Sequence, residues 1–347
     1  MPGKHYTSLR DGHLVFASAL GEVRRVTADD LPILSGLSIK LLSLAPGSVR
    51  APHWHANCAE LAYCSAGRAL VTILGNDSVL SRFTVSAGQM FYAESGVLHV
   101  IENVGDEAAE FVIAFRHERP EDFSLQGGFG AMSDAVLGNT YDLPADAFAP
   151  LPRTTEGAYI VSRQAPAAVP ADAGRDSPYR FDIEGQSPPI SLGYGQARLA
   201  RAQFWPALKD MSMYALRVTP QGMREPHWHP GTAEMGYVLA GRARMTVLDP
   251  DGTTDTWDLS QGDVYFIPPA YPHHIEVLDG DEIRFLIFFD RPAPGDIGFR
   301  ASVSALSRPV LAAALGVESS KLPAFPETDK DPLIVHRGNP GGRSADA

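Results

Sequence analysis

One stretch occurs twice, from Pro52 to Gly67 and again from Pro226 to Gly241. The first copy reads Pro52-His53-Trp54-His55 and continues to Glu60; the second reads Pro226-His227-Trp228-His229 and continues to Glu234. A later histidine follows each copy, His99 and His273. The same displacement of 174 residues carries Arg50 to Arg224, Gly88 to Gly262, Phe115 to Phe289 and Val136-Leu137 to Val310-Leu311. A gap-free repeat over roughly ninety residues identifies a duplicated domain. A chain of 347 residues is long enough for two such domains, each burying its own core.

The segments between the repeated motifs are short, apolar, rich in β-branched and aromatic residues, and punctuated by Gly, Pro, Asn and Asp. Ile39–Leu44, Ala69–Leu74, Met90–Tyr92 and Ala109–Phe115 are examples. This pattern predicts an all-β fold of two tandem antiparallel barrels. Helical periodicity follows each β-block, at Ser133–Leu137 and at Ser307–Leu315, so a short helix is expected after each barrel. The boundaries read from composition are an N-terminal domain over 1–163, a linker over 164–192, a C-terminal domain over 193–337 and a disordered tail over 338–347. A formal charge of −12 and the lack of a basic run argue against a nucleic-acid partner. No apolar window reaches membrane-span length and the opening residues lack a signal-peptide pattern, which predicts a cytoplasmic protein off the membrane. Cys58 and Cys64, the two cysteines, provide no disulfide framework and read as core or loop residues.

In a strand, residues two apart share a face, so His53 and His55 present their imidazoles together with Trp54 opposite. Glu60 joins that face only if a turn intervenes at Ala56-Asn57, as Pro230-Gly231 would supply for Glu234. Three imidazoles and a carboxylate form a ligand set for a divalent transition metal: Mn, Fe, Cu, Ni or Zn. The expected ligands are His53, His55, Glu60 and His99 in the first domain, and His227, His229, Glu234 and His273 in the second. A single His-x-His is commonly incidental; the same four residues at the same spacing twice are not. His274 is expected to face away from His273, and His5, His13, His117 and His336 show no partner pattern.

These residues resemble the cupin superfamily signature. Gly47, His53, His55, Glu60 and Gly67 satisfy its first motif; Gly88, Gly96, His99 and Asn103 satisfy its second, with Glu94 where the family has proline. In the second half the leading glycine shifts to Gly222, Pro268 and His273 hold, and Ala270 and Val277 replace the motif's glycine and asparagine. The layout is similar to the oxalate decarboxylase group of two-domain cupins. That resemblance implies two jelly-roll barrels, manganese held in each by three His and one Glu, and dioxygen as co-catalyst or co-substrate. It also implies an arginine three residues before the first ligand, here Arg50 and Arg224, that contacts the substrate carboxylate. A planar guanidinium suits a dicarboxylate, although position 50 reaches the face of position 53 only if the strand bends. The group's proton-donating lid glutamate corresponds to Glu121, in a segment that departs from the group's pattern and is one residue shorter. The second barrel has Pro294-Gly295-Asp296 there and Ile287 at a further acid position, which favours the first site for catalysis. Glu94, five residues before a metal ligand, is a candidate to contact substrate or stand in for the lid acid.

The leading reading is a metal-dependent decarboxylase of oxalate or a similar small carboxylate. The alternatives are an oxalate oxidase or another cupin dioxygenase or isomerase, and a non-catalytic metal-binding bicupin. Duplicated barrels also leave room for a homo-oligomer.

Overall fold

The computed structural model describes residues 4–339 except 175, 279 and 281, and leaves out the side chain of 77. Two antiparallel sheets form the first barrel. One runs in the order Asp122–Ser124, Ser48–His55, Leu98–Asn103, Arg68–Leu74 and Leu80–Ser86, with Ile160–Ser162 also paired to Ser48–His55. The other runs Arg180–Asp182, Gln89–Ala93, Glu60–Ala66, Ala109–Phe115, Ser38–Leu44, Gly21–Val26 and His13–Ser18. Strand alternation builds the core between them: Ala69, Val71 and Ile73 turn inward with Leu42, Leu44, Phe83, Val85, Phe111 and Ile113. The second barrel repeats the plan around Met245, Val247, Leu259, Ile275, Phe285 and Ile287. The all-β expectation of two tandem barrels, with short helices Asp134–Tyr141 and Arg308–Ala314 behind them, describes this architecture.

The domain boundaries differ from the compositional reading. Among the described residues, one compact unit takes 9–186 and 202–210; the other takes 4–8, 187–201 and 211–339. Much of the expected linker is therefore structured. Arg180–Asp182 pairs antiparallel with Gln89–Ala93, and Thr84 N donates to Ala173 O at 2.8 Å. A strand edge left bare would expose a row of backbone donors and acceptors, so Pro-rich chain is recruited to cover it. The first residues likewise leave the first domain: Tyr6–Ser8 pairs with Asp263–Ile267 of the second barrel. His5, expected to be ordinary, anchors that strand, buried with Nδ1 bonded to Phe266 O and Nε2 to Asp249. The tail expected from 338 lies outside the described residues beyond 339.

Two further helices, Leu125–Ala131 and Phe299–Ser304, were not expected. Leu125–Ala131 carries three glycines, which oppose a helix on propensity alone. Ser124 caps it by accepting from Gly127 N at 2.9 Å. A Cβ at Gly127 or Gly130 would run into the backbone of Thr155 or Thr154, so close packing explains the glycines. No helix among the described residues is long and apolar enough to cross a membrane.

The repeat also exposes a backbone cost. Gly96 sits at φ +78 and its counterpart Ala270 at φ +69, a left-handed conformation in which a Cβ costs about 1–2 kcal/mol. A Cβ at Gly96 would meet nothing within 4 Å, so only this conformational term applies. Gly96→Ala should lower, and Ala270→Gly raise, the unfolding free energy in urea by about 1 kcal/mol each.

Candidate metal centres and the pocket beside the first

The strand Ser48–His55 does not keep one register along its partner. His53 faces His99 and Arg50 faces Ile101, so three steps on one strand answer two on the other. This extra residue is a β-bulge, and it supplies the bend that brings Arg50 to the histidine face. Pro52 fits there because a bulge spares an N–H. The second barrel repeats the feature, with Arg224 facing Ile275 and His227 facing His273. Beyond His55 the chain turns and re-enters the opposite sheet at Glu60, returning the carboxylate to the same centre.

In each barrel the expected four residues converge. Ligand atoms of His53, His55, Glu60 and His99 all lie within 4.8 Å of one another, as do those of His227, His229, Glu234 and His273, and all eight residues are buried. His53 Nδ1 donates to Ala51 O at 2.8 Å and His99 Nδ1 to Val97 O at 3.0 Å. His227 and His273 bond to Glu225 O and Tyr271 O in the same way. With Nδ1 spent on the backbone, each Nε2 is turned toward the centre. His99 Nε2, Glu60 Oε1 and His273 Nε2 are buried without a hydrogen-bond partner. Buried polar atoms are rarely left so, and a divalent cation between them satisfies them; the residues fit the metal.

Electrostatics favour the protonation states a metal needs at His53, His227 and Glu60, and oppose them at His229. Burial, then the nearby Arg50, pushes His53 well below the usual histidine range, and burial with Arg224 does the same to His227. Burial opposes ionisation of Glu60, but His99 and His55 outweigh it and hold its carboxyl well below the ordinary range. Burial also opposes charge on His229, yet Asp296 and Glu234 outweigh it and raise the ring to about 9.

Beside each cluster stands a pair that the sequence reading did not assign. Asp122 accepts from His55 Nδ1 at 2.8 Å and from Arg50 Nη2 at 3.0 Å. Asp296 lies 2.6 Å from His229 Nδ1 and accepts from Arg224 Nη2 at 3.1 Å. Both arginines complete their fork on a backbone carbonyl, Tyr159 O and Leu333 O. Asp122 and Asp296 are related by the same 174-residue displacement, a signal that was present in the sequence. The barrels differ elsewhere. Lys40 Nζ lies 3.1 Å from Asp122 Oδ2 where the second barrel has Tyr214. Tyr265 Oη donates to Glu234 Oε1 at 2.6 Å where the first barrel has Phe91.

Two expected catalytic residues are placed differently. The strand Asp122–Ser124 pairs Asp122 with His55, Phe123 with Trp54 and Ser124 with His53. Alternation sends Asp122 inward and Phe123 outward onto Trp54, at 5.6 Å between ring centroids. Glu121, just before this strand, is exposed and bound through its backbone to Asn57 and Ala56, so its carboxyl is not among the residues lining the site. Glu94 pairs with Lys209 at 2.8 Å instead of lining the pocket. His274 contacts Glu276, and both cysteines are free and buried, their thiols pushed up to about 12 chiefly by burial. A cavity of about 640 Å³ opens beside the first cluster, lined by Arg50, His53, Trp54, Asp122, Met132 and Tyr159 among others.

The profile of the Cupin family matches residues 7–146 and 181–322. The chain belongs to the cupin family. It is a bicupin of the oxalate decarboxylase-like group: it is 30% identical to the oxalate decarboxylase of Bacillus subtilis over 82% of this chain and 75% of that protein. A solved structure of that enzyme superposes with a TM-score of 0.85 at 26% identity, covering 97% of this chain and 88% of that one. Another structure of the same enzyme was determined in a study of its Mn(II) centres. The wheat oxalate oxidase is 34% identical but over only 24% of this chain and 39% of its own length.

Calorimetric titration of metal-free bicupin with Mn(II) should show about two ions bound per chain, falling to about one in His99→Ala. His229 carries a proton below about 9, so binding at neutral pH should release protons and apparent affinity should rise with pH up to that range. Two-site binding unchanged in His99→Ala, or no buffer dependence of the heat, would contradict this.

Proposed function

We propose that this bicupin decarboxylates oxalate, or a near relative of it, to formate and carbon dioxide in the first barrel. The observation that carries the reading is a buried guanidinium, Arg50, beside the four candidate ligands His53, His55, Glu60 and His99, at the inner end of the large cavity. Manganese at such a site supplies a Lewis acid for a substrate oxygen and an electron-transfer partner. The protein's own groups do the rest. Arg50 offers in-plane donors matched to a carboxylate, and in the resting protein Asp122 holds His55 in one tautomer. The apolar walls around Phe115 and Ile113 exclude water. Arg224 in the second barrel, beside the same candidate ligand set, is held by Asp296 and Leu333 O.

Cleavage of oxalate to formate and carbon dioxide is redox-neutral and consumes a proton. The outward position of Glu121 gives one specific ground for the competing oxidase reading, because without a proton at carbon the electrons leave to dioxygen and peroxide forms. Both outcomes are read in a single assay of metal-loaded protein with oxalate in air. The account expects formate without peroxide, a rise in pH during turnover, and loss of kcat/KM by at least about tenfold in Arg50→Ala. Peroxide without formate would establish the oxidase reading, and neither product from fully loaded protein would remove oxalate as substrate.

A further inference from the structure

Lys40 sits on the inward row of the strand Ser38–Leu44, in phase with the core residues Leu42 and Leu44, and is buried. Nothing about an apolar barrel interior calls for an ammonium there, since burying one costs several kcal/mol unless it is paired. Its hydrogen-bond acceptor among the described residues is the Asp122 carboxylate, at 3.1 and 3.4 Å, and it lies 4.5 Å from the centroid of the Phe115 ring. The same Asp122 oxygen that faces Lys40 at 3.1 Å also accepts from Arg50. Two cations thus converge on one internal carboxylate, at the wall of a chamber lined by His53, His55 and Glu60. That chamber measures about 10 Å³, roughly the room of one water molecule, too little for a dicarboxylate as it stands, and Asp122, bonded to both cations, lines the larger cavity that shares Arg50 and His53 with it.

We propose that Lys40 and Arg50 are the two cations of a seat for a small dicarboxylate dianion, which Asp122 occupies in the resting protein and the substrate takes over. The inference rests on the oxalate reading above and names a residue beyond it. Charge supports the exchange. Glu60 and Asp122 balance Arg50 and Lys40, so a divalent ion leaves an excess of two positive charges for a dianion to neutralise. An incoming carboxylate also replaces a carboxylate, so neither cation is left bare and buried at any stage. The strand Asp122–Ser124 lies at the end of its sheet and is three residues long, so releasing it breaks few hydrogen bonds. The second barrel keeps the arginine and aspartate but has Tyr214 in place of Lys40, its ring 4.8 Å from Phe289 as Lys40 is set against Phe115. The seat belongs to the first barrel alone.

The test is calorimetry on manganese-loaded full-length protein with oxalate and with glyoxylate, a monoanion of similar size. Lys40→Met should weaken oxalate by at least about tenfold and leave glyoxylate nearly unchanged, while Lys40→Arg keeps most of the oxalate affinity. Asp122→Asn retains an oxygen for His55 but gives up the competing charge, so it should tighten oxalate by severalfold. Equal weakening of both ligands in Lys40→Met, no change in either, or weaker oxalate binding in Asp122→Asn would overturn the seat. Should Lys40→Met not fold or load metal, the affinity kept by Lys40→Arg and the tightening expected of Asp122→Asn decide. Lys40-dependent oxalate binding without formate would sink the decarboxylase reading and leave the seat standing; formate production with Lys40-independent binding would do the reverse.

Discussion

A single extra residue in one strand determines what these barrels can do. Strict two-residue alternation would place His53 and His55 on one face and Arg50 on the other. The bulge between positions 50 and 53 breaks that phase, so the guanidinium and the imidazoles meet. Everything else at the site follows from having a cation and a metal-ready cluster in one buried volume. Asp122 neutralises Arg50 and orients His55, whereas Asp296 neutralises Arg224 while Gly295 O takes the His229 Nδ1 bond, and the apolar walls raise the strength of each charge pair. The second barrel repeats the bulge, the arginine and the aspartate.

What separates the halves is equally local. Glu234 is tied by Tyr265, whereas Glu60 keeps a buried oxygen without a hydrogen-bond partner in the barrel that has Phe91 at the tyrosine's position. One barrel has an interior ammonium, the other a phenol whose burial pushes its ionisation well above the ordinary tyrosine range. The two differences point the same way. The second site is better tied and less cationic, suited to holding its ion. The first has an open oxygen, two cations and a large cavity beside it, suited to a ligand that comes and goes.

Much of this was legible in the chain. The repeat, the two convergent His/Glu clusters and the barrel class follow from spacing and alternation, because convergence on one point and strand geometry impose fixed intervals on a sequence. The bend required at Arg50 was also readable, as a conflict between its odd position and its expected partner. Edge pairing was not: Arg180–Asp182 and Tyr6–Ser8 are too short and polar to announce themselves, and they earn their strand conformation from the edges they cover. The glycine-rich helix Leu125–Ala131 was hidden because its propensity is poor and its cause, close packing on Thr154 and Thr155, is tertiary. The family pattern points to Glu121, whereas a shift of one residue reverses which side chain faces in. Lys40 could have been found as a lone charge in the inward phase of an apolar run.

Two similar centres carry unequal roles. A crystal structure of the manganese-loaded protein soaked in oxalate, with anomalous data at the manganese edge, addresses that most directly. The account expects a metal peak within each four-residue cluster and oxalate on the first alone, contacted by Arg50 and Lys40 with Asp122 displaced. Oxalate on the second centre alone, or metal missing from the first cluster in fully loaded protein, would contradict it.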